Sequence, residues 1–184
     1  LANNFLFSFY TNKLEVVIDN KYMLDYSKMN KIIEEIRNDK KLLRKYEYLP
    51  GYYDVLQDED HKEFNLTGFK EYGIKDGEAI LYTSNKGDVN RRVLMTRNAG
   101  MKIKDLNRIS SIIKFSGIFY AYGKNINRIL KQLENPNHND WYKDRSETPK
   151  KDRKFLKDMN RFIKETIKDT YTEKVADEVD AYGV

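Results

Sequence analysis

Few side chains in this sequence are of the types and spacings that carry chemistry. His61 and His138 lie far apart, and neither has a partner at the His-x-x-x-His spacing that puts two imidazoles on one helical face for zinc. His61 sits in the charged run from Gln57 to Glu63 and reads as a solvated loop residue. His138 lies beside Trp141, where a connector around a packed indole is the plainer reading and a phosphate or backbone contact the sharper one. The acid pairs Glu34–Glu35 and Asp58–Glu59–Asp60 read as solvated faces, because carboxylates that work as a hydrolytic pair must flank a cleft. There is no cysteine, which excludes disulfides and thiolate metal sites. No Gly-x-Ser-x-Gly, Walker or dinucleotide-type glycine loop occurs. Asn98-Ala99-Gly100 supplies one turn, and a single turn does not make a phosphate cradle. Phe119, Tyr120 and Tyr122 have the chemistry to stack on bases, although alternation puts Phe119 with Phe115 and Gly117, as in a core strand.

The elements that must position these residues follow from periodicity. Phe5–Tyr10 and Leu14–Ile18 alternate and predict a strand hairpin about Thr11-Asn12-Lys13, with Asp19-Asn20-Lys21 as a second turn. Met29, Ile32, Ile33, Ile36 and Leu43 predict a helix capped at Asp25 or Ser27 and stopped before Pro50-Gly51. Between Gly51 and Asp76 the pattern is weak, with a short strand or loop about Phe64, Leu66 and Phe69. Strands are predicted at Glu78–Thr83, Val93–Arg97 and Ile112–Tyr122, the last kinked at Gly117, and Ser84–Asp88 reads as a hairpin loop. A short helix capped by Asn125 ends at Glu134–Asn137. A long last helix starts at Thr148-Pro149, carries the stripe Phe155, Leu156, Met159, Phe162, Ile163 and Ile167, and frays from Glu173. These elements give an α+β fold, a mixed sheet backed by helices. The expected division is residues 1–145 and a helical extension over 146–184, with Tyr142–Pro149 as the joint.

The totals fit that class. Apolar residues make up 40 % of the 184, enough for a core, and the 34 % charged share is mixed in sign. No run approaches the roughly 18 apolar residues of a membrane helix, and a cytoplasmic location is expected. Net charge is +5, from 34 Lys and Arg against 29 Asp and Glu, a modest field open to nucleic acid or phosphates but also ordinary for a lysine-rich surface. The start Leu-Ala-Asn-Asn reads as a piece cut from a longer chain.

The segment Val93–Ile103, the strand Phe115–Tyr122 and the corner Leu133–Trp141 together resemble a pattern in large bacterial ATP-binding proteins of the gyrase, heat-shock chaperone, histidine kinase and MutL type. There it reads roughly Arg-Asn-x-Gly-Met-x-Ile followed by Glu-x-Pro-x-His-x-x-Trp. Here it is carried by Arg97, Asn98, Gly100, Met101, Lys102 and Ile103, then Glu134, Pro136, His138 and Trp141. The match covers about the central third of the chain. The resemblance implies a transducer with the fold of the second domain of ribosomal protein S-five, coupling ATP state in an upstream ATPase domain of the same chain to movement. It also implies a basic residue that senses the γ-phosphate, for which Arg97 and Lys102 are the candidates. No cofactor is expected in this piece; ATP and magnesium would belong to the parent protein. Homodimer formation and nucleic acid are further partners such a module allows, and the full-length proteins resemble microrchidia ATPases linked to DNA processing or defence. Glu34 and Asn38 share the Glu-x-x-x-Asn spacing of the superfamily's metal-binding helix, but Leu42 stands where the following Asp would be, and no Asp-x-Gly-x-Gly occurs. The match is read as coincidence and the module as non-catalytic. A basic nucleic-acid-binding domain and a plain protein-interaction module are the alternatives.

Overall fold

One five-stranded mixed sheet carries helices on both faces, and a two-stranded ribbon flanks it. The computed structural model describes residues 1–142 and 149–182, with side chains up to residue 172. In chain order the elements are α1 (Ala2–Tyr10), β1 (Val16–Ile18), β2 (Tyr22–Leu24), α2 (Met29–Asn38), α3 (Lys40–Lys45), α4 (Leu49–Gln57), β3 (Lys62–Asn65), β4 (Ala79–Ser84), β5 (Val93–Arg97), β6 (Met101–Leu106), β7 (Ser116–Ala121), α5 (Lys124–Leu133) and α6 (Pro149–Tyr182). The main sheet runs β3-β4-β7-β5-β6; β5 and β7 are parallel and the other neighbours antiparallel.

Alternation along the central strands sorts the core into two layers. Leu81, Met95 and Phe119 pack with Ile126 and Leu130 of α5 and with Phe155, Met159, Ile163 and Ile167 of α6. Leu94, Ile118 and Tyr120 point the other way, onto Leu6, Phe7 and Phe9 of α1, Ile33 and Ile36 of α2, and Tyr52 and Val55 of α4. All six residues of β7 are therefore buried, as expected of a strand covered on both sides. The apolar stripe on α6 lies in the same cluster as the sheet. Each fully buried anchor of that size contributes about 1.5–3 kcal/mol, which fastens a helix whose other face is charged.

The α+β class and the long last helix are as expected, and the local differences have physical causes. Phe5–Tyr10 is helix, not strand. Leu6, Phe7, Ser8 and Phe9 are buried in succession because α1 is wedged between the sheet and the other helices, so phenylalanines at every second position mimic a strand. Val16–Ile18 pairs instead with Tyr22–Leu24, through the turn at Asp19 and Asn20, both with positive φ. The helix expected up to Pro50 breaks at Asp39, which is extended and caps α3 through Lys41 N and Leu42 N at 2.7 and 3.0 Å. Pro50-Gly51 does not stop a helix; Pro50 sits in the first turn of α4, where its missing N–H costs nothing. β4 and β5 are not a hairpin, since β7 lies between them. Met101–Leu106, whose alternation Met101-Lys102-Ile103-Lys104 is cut short at Asp105, is an edge strand with a bulge opposite Met95 and Thr96. Residues 112–115 are not strand, and Ile112 is 80 % exposed. α5 begins at Lys124, ahead of Asn125, and its N-terminus is capped by Glu78, whose carboxylate accepts from Ile126 N at 2.8 Å. The expected joint lies largely outside the described residues. The helix backbone of α6 runs to Tyr182, through most of the stretch expected to fray.

Candidate functional site

The residues of the Arg-Asn-x-Gly-Met segment and the Glu-x-Pro-x-His corner meet at one end of the sheet. Arg97 ends β5, and the turn Asn98–Gly100 closes with Gly100 N donating to Arg97 O at 2.8 Å. Gly100 has φ +77°, and a Cβ there would sit 2.8 Å from Ser8 N, so α1 presses directly on the turn. Ser8 Oγ donates to Ala99 O at 2.7 Å on the same contact. Asn98 presents its carbonyl inward, where Tyr120 OH and Lys13 Nζ donate to it at 2.9 and 3.0 Å. Met101 begins β6 and lies partly buried against the α5–α6 layer.

The corner after α5 is a tight reversal. Asn135 N donates to Asp140 O, His138 N to Asn135 O and Tyr142 N to Leu133 O, while Glu134 and Trp141 form a bridge. His138 takes φ +53°, which turns the chain, and Asn135 and Asn139 close the loop through paired amides. Pro136 falls within this reversal and Trp141 is buried beneath it, with Lys104 Nζ 5.7 Å from the indole and 2.6 Å from Asp140 Oδ1.

Glu134 links the two segments. Its carboxylate takes both donors of the Arg97 fork, Nε on Oε2 and Nη2 on Oε1 at 2.8 Å, and also contacts His138 Nδ1. Side-chain exposure is 3 % for Glu134 and 20 % for Arg97, against 61 % for His138. Burial pushes the Glu134 carboxyl up, but the hydrogen bonds from Arg97 and His138 outweigh it and hold the group below the usual glutamate range. His138 is thus half of a polar contact as well as part of the loop around the indole.

Lys102 is not near this pair. It lies on β6 opposite Thr96, and its ammonium meets Asp105 Oδ2 at 2.6 Å; Asp105 Oδ1 accepts from Tyr52 OH of α4 at 2.7 Å. Arg97 therefore faces the α5–α6 layer and Lys102 the α1–α4 layer, each already bonded to a carboxylate of its own chain. Among the stacking candidates, Phe119 is in the core, Tyr120 is buried with its hydroxyl engaged, and Tyr122 is exposed. His61 is not solvated: its ring packs edge-on against Tyr82 and Nδ1 lies 2.7 Å from Asp58 O.

One cluster had no signal in the sequence. Arg37 reaches Glu34, Asp54 and Asp88 at 2.7 Å each, beside a cleft of about 880 Å³ between α2–α4 and the loop before β5. Asp54 also accepts from Asp88 N, so the guanidinium fastens that loop to α4. Among the described residues no group of three His, Asp or Glu side chains is arranged to hold a metal ion, and no helix is long and apolar enough to cross a membrane. The chain matches no family model, no curated protein and no solved structure.

Proposed function

We propose that this chain is a non-catalytic transducer module of a larger ATPase, relaying nucleotide state in a neighbouring domain to the helices around the sheet. The observation that supports this reading is the Arg97–Glu134 pair. A guanidinium at the end of a core strand is held by a carboxylate at the end of α5, and phosphate oxygens fit the same two-donor fork. Exchange of Glu134 for a phosphate on the companion domain would free the end of α5 and the corner that follows it. ATP and magnesium belong, in this reading, to that companion domain. This chain contributes the cation, the carboxylate that occupies it at rest, and the rigid sheet between.

The test uses the parent ATPase. Arg97→Ala should lower turnover about 10- to 100-fold, the loss expected for one hydrogen bond to a charged group, whereas Lys102→Ala, which removes a contact to Asp105 on the other layer, should stay near the wild type, and this chain alone hydrolyses no ATP. Unchanged turnover in Arg97→Ala, or hydrolysis by the isolated chain, refutes the proposal.

A further inference from the structure

The α1–α4 layer does not cover the whole of its sheet face. Beyond it lies a cleft of about 430 Å³ lined by Lys13, Ile80, Tyr82, Asn98, Tyr120 and Tyr122. Its floor is two adjacent antiparallel strands, with Ile80 directly across from Tyr120. The rings of Tyr120 and Tyr122 are 5.3 Å apart and tilted by 35°. Tyr82 is braced from behind by Phe7 and His61, at 5.8 and 5.6 Å between ring centres. Tyr122 is 44 % exposed.

Lys13 is the one charged side chain among the lining residues. Lys13 Nζ lies 5.1 Å from the Tyr120 ring and donates to Asn98 O and Tyr120 OH, which leaves the third of its three N–H donors for a ligand. No carboxylate is among the lining residues. The nearest acid in the sheet register, Glu63 opposite Tyr82, lies 3.1 Å from His61 Nε2. Burial, and after it the Glu63 charge, pushes the Tyr82 phenol up to about 12, and like any tyrosine hydroxyl it is neutral near pH 7.

We propose that this tyrosine-walled cleft binds single-stranded nucleic acid, an unpaired base lying against Tyr82 and Tyr122 and its phosphate on Lys13. Aromatic rings on a sheet floor offer π faces, and only an unpaired base has its own faces free to meet them. A single cation at the rim suits one phosphate and gives a modest, salt-sensitive contact. The site is separate from Arg97 and Glu134 and stands whether or not the chain relays nucleotide state.

The experiment is fluorescence anisotropy of the full 184-residue chain with a labelled oligothymidylate of about 12 nucleotides and the corresponding duplex. The single strand should bind in preference to the duplex. Tyr122→Ala should weaken it about 5- to 100-fold, the effect of losing one stacked base, while Tyr122→Phe keeps most of the affinity. Lys13→Gln should weaken binding and flatten the log–log salt dependence by about 0.7. Both side chains are exposed, and unchanged circular dichroism shows the fold intact. The proposal fails if the duplex binds as well as the single strand, if Tyr122→Ala binds like the wild type, or if the cleft takes an extended peptide and no oligonucleotide at about 100 micromolar, the weak end of non-specific contacts.

Discussion

Removing the Glu134 carboxylate should destabilise the chain by breaking the ion pair at the end of the sheet. Glu134→Ala leaves the Arg97 guanidinium four-fifths buried with no counter-charge. Breaking a fully buried pair costs about 3–5 kcal/mol. Arg97 keeps a fifth of its surface in water, so about 2–3 kcal/mol is expected here. For a chain of this size that lowers the melting temperature by roughly 4–12 °C. Glu134→Gln keeps an acceptor for one arm of the fork and should cost about 1–2 kcal/mol. His138→Ala removes a largely exposed partner and should cost under about 1 kcal/mol. Urea denaturation with unchanged slope is the assay, completed by a double-mutant cycle with Arg97→Ala. The pH dependence gives a second reading. Because the Glu134 carboxyl is held below its unfolded value, its contribution is complete above about pH 4.3 and is lost as pH falls through the folded value. The gap between wild type and Glu134→Gln should therefore close in acid. A Glu134→Ala variant within about 0.5 kcal/mol of wild type, or a gap that widens in acid, refutes the view that this pair ties β5 to the end of α5.

Two further changes test the supporting geometry. Gly100→Ala forces a side chain into the left-handed region and against the α1 backbone, and should lower stability by about 1–3 kcal/mol in the same urea assay; a neutral result would mean that α1 does not press on the turn. Asp39→Ala should cost about 1 kcal/mol and Asp39→Asn much less, read as loss of helical ellipticity and of urea midpoint, because only the alanine removes the acceptor for Lys41 N and Leu42 N.

What could be read from the sequence was what periodicity decides. The short helix ending at Leu133 and the α6 stripe repeat at one period and bury one face, and Val93–Arg97 is a short apolar run buried on both, so each is placed within a few residues. Where burial is set by more than one neighbour, the period misleads. α1 buries four consecutive residues, so its phenylalanines read as a strand. β6 is an edge strand whose short alternation from Met101 to Lys104 breaks at Asp105, because the bulge at Ile103 shifts the register. Pro50 carries opposite meanings before and within a helix, and only the break at Asp39 with a new start at Leu49 decides between them.

The candidate site was legible as two motifs but not as one place. Arg97 and Glu134 are 37 positions apart, and no local rule pairs them. What brings them together is topology: β7 lies parallel to β5, so Arg97 and Ala121 end side by side, and α5, which starts at Lys124, leads to Glu134 at that same end of the sheet. Lys102 goes to the far face because it pairs with Thr96, and the bulge at Ile103 turns Lys104, opposite Met95, to the other layer. Two cations that look equivalent beside a glycine turn are thus assigned to different helical layers. Only Arg97 is bonded to the carboxylate that ends α5, and it is therefore the one whose change of partner the corner at Glu134–Trp141 would register.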